Sequence, residues 1–566
     1  MTDKAITFDE IQVDRPEYTQ VAAEFERLAA AWNAASDADA CRRVIQDWDT
    51  LERRLATWAN LVDLRFNQDT SNPEYKQARE YSDELKPRLT DLAVRMKRKL
   101  IESPYRRELE ATFGPQAFAL WEADVLAFDP KIEADLVKEA KLEAEFTDLL
   151  ASAKLKYQGD TYNFAGLAKF HVDRDRQVRY DSNAVKWQWF ADNGEQLDRI
   201  YDEQVRLRTD MANKLGFDDF VGLGYKRMKR VDYDQADVER FRAAVREDVV
   251  PLTKELRRLQ SESLGIDRVM FWDEGIFDPQ GNPKPQGDHD WMIERATEMF
   301  DEMGGGLGEF FRLMNESHLM DLKNRDSKAG GGFCTDFPSF GLPYIFANFN
   351  GTKGDVEVFT HEMGHAFQSY CSREQPLLDY LFPTYESCEI HSMGLEFLAW
   401  PHMEKFFGQA AERFRQIHLI QALLFLPYGV AVDHFQHLVY ANPDATPRQR
   451  HEIWREMEAT YLPTRDCGDL PHLPTGGQWQ FQRHIYLSPF YYIDYTLALT
   501  CALQFWVRSR ADMAEAMEAY VALCQRGGAA PFRQLAESAG LISPFEEGSL
   551  REVVGQAHQF LGIATA

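Results

Sequence analysis

The chain has 566 residues, 44% of them hydrophobic, and a formal net charge of −27 from 91 acidic and 64 basic side chains. That balance argues against nucleic acid or anionic membranes as partners, and the apolar content supports large cores. The seven cysteines are odd in number and scattered, with no C-x-x-C, and read as reduced thiols in a reducing compartment. Residues 1–8 hold no apolar signal core and no run of about 18 apolar residues follows, so the expected location is the cytoplasm.

Length alone admits about three to five domains, yet no low-complexity linker or internal repeat divides the chain. Residues 1–170 read as an N-terminal helical region. Val21, Phe25, Leu28, Val44, Trp48, Leu51, Leu55 and Trp58 recur at three-four spacing between Tyr18 and Lys99. Asn72-Pro73 and Ser103-Pro104 mark breaks, and Lys131–Leu155 is a charged helical stretch. Residues 171–566 form the second region. Asp278–Pro285 is a Pro/Gly loop, and residues 332–350, with Pro338 and Gly341 at a turn, are the one strand region expected. Gly330-Gly331-Gly332 lacks the context of a phosphate loop. It instead opens an edge strand, at Gly332 and Phe333, to which an extended peptide can add.

His361-Glu362-Met363-Gly364-His365 follows that strand. On a helix, residues i and i+4 share a face, so both imidazoles can bind one Zn²⁺ while Glu362 lies beside a metal-bound water. At this chain's His content the pattern arises by chance about 0.03 times per chain of this length. Its apolar flanks, Val356, Val358, Phe359, Ala366 and Phe367, mark a helix packed in the fold. A third ligand is then needed. The next helical stretch, Tyr385–Glu396, offers Glu386, Glu389, His391 and Glu396, and spacing does not choose among them.

Downstream, His484-Ile485-Tyr486-Leu487-Ser488-Pro489-Phe490-Tyr491-Tyr492-Ile493-Asp494-Tyr495 packs five donor-bearing rings into twelve positions after Gly476-Gly477. Composition alone favours a core helix with a wet aromatic edge. His434 and His437, spaced i, i+3, lack a third ligand at useful spacing and read as a satisfied pair.

Four segments in order resemble the M3 family of zinc oligopeptidases, the group of thimet oligopeptidase and oligoendopeptidase F. They are Leu215–Met228, Leu342–Thr352, the H-E-x-G-H motif, and Glu389-Ile390-His391-Ser392-Met393-Gly394-Leu395-Glu396, similar to the family's E-x-x-S-x-x-x-E helix. The resemblance implies a mainly α fold of two helical lobes around a deep substrate channel, with a small β-sheet next to the zinc helix. It implies one Zn²⁺ per chain on His361, His365 and Glu389, with Glu362 as general base. It further implies His484 and Tyr495 as donors to the oxyanion and Tyr491 or Tyr492 against the substrate. Short, unstructured peptides are the implied substrates. Most relatives carry a third His at the position of Gln368.

The motif also serves two other readings. A zinc carboxypeptidase on a related helical fold would need a basic group for the terminal carboxylate. A non-catalytic peptide-binding protein that keeps the scaffold would not need Glu362.

Overall fold

The computed structural model describes residues 6–563. The chain is mainly α-helical, 71% of it in helices. Among the described residues there are five short strands: β1 (Leu155–Tyr157), β2 (Asp160–Tyr162), β3 (Met320–Lys323), β4 (Phe333–Phe337) and β5 (Leu342–Phe349). The chain divides into two interleaved compact units. The first comprises Met1–Phe128, Lys284–Ala411 and Cys501–Ser543; the second comprises Asp129–Pro283, Glu412–Thr500 and Pro544–Ala566.

In the first unit the expected periodicity yields three long helices, Tyr18–Ala34, Ala38–Gln68 and Pro73–Ile101. The Asp37 side chain accepts the Ala40 N–H, and Asn72 accepts those of Glu74 and Tyr75 ahead of Pro73. Both helices therefore start on a capping side-chain oxygen, and the break at Asn72-Pro73 adds an early proline. Val21, Phe25, Leu28, Val44, Trp48 and Leu51 are buried in one core with Leu92, Met96, Leu100 and Trp121.

The same unit holds a three-stranded sheet in the order β3-β5-β4. β4 pairs antiparallel with β5, Cys334 opposite Ile345, and is an edge strand. β3 runs parallel to β5, with Met320 opposite Ile345; it was not expected from sequence. Leu342–Ala347 of β5 are all buried, as befits a central strand covered on both faces. β5 leads through Asn350-Gly351 into the helix Lys353–Ser372. The Asp355 carboxylate closes that turn by accepting the N–H groups of Asn350 and Gly351 at 2.9 and 2.7 Å, and Gly351 takes φ = +81° there, which suits a residue without Cβ.

The second unit is built on the 40-residue helix Arg176–Leu215, capped by Asp175 and stopped by left-handed Gly216. Its hairpin, β1 with β2, turns at Gln158-Gly159, both at positive φ. The apolar stretch Glu404–Ala441, which crosses the boundary between the units, is long enough to cross a membrane, but 72% of its most apolar window is buried inside the fold. Two buried arginines pin the backbone around the tyrosine-rich segment. Arg208 donates to Glu139 Oε1 at 2.6 Å and to the carbonyl of Tyr486. Arg230 donates to the Phe490 carbonyl at 2.6 Å and to Asp494 Oδ1 at 2.9 Å.

Candidate metal centre

The helix Lys353–Ser372 carries His361, Glu362 and His365, and the helix Tyr385–Leu398 carries Glu389 and Glu396. The two helices touch at Gly364. A Cβ added there would sit 2.5 Å from the His391 carbonyl oxygen and 2.6 Å from the Ser392 Cα, so only glycine allows the approach. That contact brings the two sets of side chains together. One donor atom each from His361, His365 and Glu389 lie within 4.8 Å of one another. Glu389 Oε2 is 3.3 Å from His361 Nε2 and 3.5 Å from His365 Nε2.

Two imidazole nitrogens converging on one carboxylate oxygen, partly buried, form a donor set suited to a borderline-soft divalent metal. The other ring nitrogen of His361 is engaged as well. Its Nδ1 lies 2.7 Å from Glu396 Oε1, so Nδ1–H donates there and Nε2 keeps its lone pair for the metal. Electrostatics follow the same geometry. Burial alone would raise the Glu389 carboxyl, but the charges and hydrogen bonds of His365 and His361 outweigh it and hold the group well below the usual carboxylate range. Conversely, Glu389 and Glu396 overcome the burial of His361 and raise its affinity for a proton. Glu362 is buried, and burial raises its pKa against the lowering effect of the two imidazoles.

The other residues of the second helix are accounted for separately. Glu386 accepts the Thr384 hydroxyl at 3.0 Å. His391 is fully buried, its backbone carbonyl bonded by the Tyr520 hydroxyl. Gln368, also fully buried, donates Nε2–H to Ser372 Oγ and to the Leu381 carbonyl, each at 2.9 Å.

At the sheet edge, Gly332 is exposed and immediately precedes β4. A Cβ there would stand 3.1 Å from Val358 Cγ1 and 3.6 Å from Glu362 Oε1, so the bare backbone lies directly beside the candidate base. The Phe333 ring stacks on Phe346 at 4.8 Å; its side chain packs on the sheet. The far end of the edge is covered, since Asn60 Nδ2 donates to the Asp336 carbonyl at 2.9 Å.

In the second unit, His484, Tyr491, Tyr492 and Tyr495 form one ring cluster. His484 lies 5.7 Å from Tyr491, 5.1 Å from Tyr492 and 5.7 Å from Tyr495, centroid to centroid. The Tyr495 hydroxyl is 3.5 Å from His484 Nε2. Two partners went unread in the sequence. The Tyr428 hydroxyl donates to Gln482 Oε1 at 2.9 Å, and Gln482 Nε2 donates to His484 Nδ1 at 2.9 Å. This relay leaves the proton of neutral His484 on Nε2, making that atom a donor. The cluster rests on a strained loop. Phe490 is fully buried at φ = +69°, its N–H accepted by Gln436 Oε1 at 3.0 Å. A β-carbon in the left-handed region is costly, and it persists only where the surroundings over-determine it. His434 and His437 engage Tyr461 and Tyr225 respectively, as the reading of a satisfied pair expects.

Comparison with known proteins agrees with this arrangement. The family model for the peptidase M3 N-terminal domain matches residues 8–128, and that for peptidase family M3 matches residues 170–554. No curated protein sequence is matched. Among solved structures, a candidate oligoendopeptidase F is 45% identical with a TM-score of 0.94, each chain covered to 99%. PZ peptidase A in complex with an inhibitor is 43% identical at a TM-score of 0.94, over 98% of this chain and 99% of that one. A candidate oligoendopeptidase F from Bacillus anthracis is 40% identical at 0.89, over 99% of both. With a histidine- and carboxylate-lined metal centre, a mainly α fold and family models that account for most of its length, the chain belongs to peptidase family M3 and is a metallo-endopeptidase acting on peptides.

Proposed function

We propose that this endopeptidase is zinc-dependent and hydrolyses short, unstructured oligopeptides in the cytoplasm. His361, His365 and Glu389 hold one Zn²⁺, and Glu362 is the general base. The observation that carries this reading is the mutual spacing of the three donor atoms, within 4.8 Å, with Glu362 on the same helix as two of them. When bound, Zn²⁺ supplies a Lewis acid for the peptide carbonyl and lowers the pKa of a water.

Glu362 accepts the proton of the attacking water on its carboxylate and delivers it to the nitrogen of the departing amine. Glu396, by accepting Nδ1–H of His361, fixes the ring and strengthens Nε2 as a donor to the metal. His484 Nε2–H and the Tyr495 hydroxyl donate to the oxyanion formed on the substrate. Tyr491 and Tyr492 contact the peptide, whose backbone adds to the edge at Gly332 and Phe333.

Digestion of a mixed peptide library, with metal analysis before and after chelation, tests the proposal. Expected are about one equivalent of zinc, internal cleavage of short peptides, and loss of both on chelation with return on adding Zn²⁺. Stepwise release from the C-terminus alone, or full activity without metal, overturns it.

A further inference from the structure

The loop between the two ligand-bearing helices carries a feature that the zinc chemistry does not use. Phe382 is 39% exposed, and its ring lies 6.1 Å from that of His365. Exposed phenylalanines are common when a loop is loose; this loop is not. The Leu381 carbonyl, one residue before Phe382, accepts Gln368 Nε2–H at 2.9 Å and the Ser372 hydroxyl at 2.7 Å. Both donors belong to the motif helix, and both are buried. Tyr380 is fixed from two sides, its hydroxyl donating to the Phe113 carbonyl at 2.7 Å and its own carbonyl accepting the Gly528 N–H at 2.9 Å. Gly527 and Gly528 press against the loop so closely that an added Cβ would stand 2.2 Å from the Tyr380 oxygen or 3.1 Å from the Phe382 oxygen.

A partly exposed apolar ring, held on a clamped loop against a candidate metal ligand, is within reach of a substrate side chain beside that ligand. The candidate base is flanked by the bare backbone of Gly332, with Val358 beside it. Gln368 also receives a role here: it ties the helix that carries His365 to the carbonyl preceding Phe382.

We propose that Phe382 is a specificity determinant, forming one wall of the position that takes a bulky apolar side chain flanking the scissile bond, and that Gln368 is the positioning residue that holds it there. The proposal rests on the reading of the chain as a zinc-dependent oligopeptide hydrolase. Its test uses the full chain and decapeptides of one sequence, with Phe, Ala or Asp at each of the two positions flanking the cleaved bond.

For wild type, kcat/KM should favour Phe over Ala and Asp at one of these positions. F382A should lower kcat/KM for the preferred Phe peptide about 10- to 100-fold, the range of hydrophobic-pocket discrimination. It should leave the Ala peptide and the zinc content unchanged. Q368M should shift the same ratio in the same direction through KM, by a smaller factor, and Q368H, which keeps a ring N–H, should restore it. A purely structural role would instead lower all peptides together and reduce thermal stability.

Binding of the same peptides to E362Q by calorimetry gives a readout independent of turnover. If F382A changes every peptide equally, or none, in both measurements, the proposal fails while the hydrolase reading stands. If wild type cleaves no peptide but E362Q binding keeps a Phe382-dependent preference, the hydrolase reading fails and the assignment of Phe382 stands.

Discussion

The metal centre of the first unit and the ring cluster of the second are held by different physics. In the first, charge organises the site: two imidazoles share one carboxylate, and a second carboxylate fixes the tautomer of His361. Every donor sits mid-helix, on a rigid element. In the second, an amide and a hydroxyl orient the ring. A neutral relay of Tyr428 and Gln482 sets the proton on His484, and a loop with a left-handed phenylalanine presents the tyrosines. The first arrangement suits a site that must bind a cation. The second suits donors that stay neutral until an oxyanion forms. Removal of a metal donor or of the carboxylate that supports one should therefore cost metal in the first region, whereas removal of a ring donor in the second should cost rate alone.

Glu362→Gln gives the largest expected loss. It removes the base without removing a metal donor, so kcat should fall roughly 10²- to 10⁴-fold while zinc content by elemental analysis stays at the wild-type level. Retained turnover would refute the assigned base. Next come His484→Ala and Tyr495→Phe, each expected to lower kcat about 10²- to 10³-fold with zinc affinity unchanged. A loss of zinc in either variant would collapse the distinction between the two regions.

Glu396→Gln should act the other way round, weakening zinc about 10- to 100-fold in competition with a chelator and recovering most activity at saturating metal. The smallest effect expected is on stability. Burial lowers the pKa of His171 and of His434 to about 4, below about 6.5 for an unfolded histidine. Between those values the unfolded chain binds more protons than the folded one. Their contribution to stability is thus full above pH 6.5 and is lost as the pH falls toward 4. His171→Gln and His434→Gln should each flatten the decline of the melting temperature across that window; an unchanged slope would show that other groups govern it.

Much of the fold follows from local pattern. Three-four spacing between Tyr18 and Lys99 marks the long helices because their cores are built from contacts one turn apart. β3 escapes such a reading. Its four residues gain strand character only by pairing with β5, some 25 residues later. The β1–β2 hairpin has strands of three residues, too short to show alternation, although Gln158-Gly159 is a two-residue turn at positive φ. In the metal centre, His361, Glu362 and His365 are legible because i and i+4 share a face.

Glu389 is a different case. Four residues of its helix were eligible, and only tertiary approach at Gly364 groups it with the two histidines. Family resemblance supplied what spacing did not. Gln482 and Tyr428 are invisible in sequence for the same reason, as residues 54 apart whose meaning comes from one hydrogen bond. Phe382 carries no signal in the sequence, since nothing in the letters says that its loop is clamped or that its ring is partly exposed.

Gly364 carries a consequence for how such enzymes are recognised. Its role is a gap: the width of one absent methyl group sets how near the second helix can come, and hence whether three ligands share one ion. An alanine there would leave H-E-x-x-H intact to any pattern search and would keep every donor in the chain. What separates a helix pair that gathers three donors from one that does not is thus a residue with no chemistry of its own, and the tolerance of the candidate metal centre is measured in backbone clearance rather than in ligands.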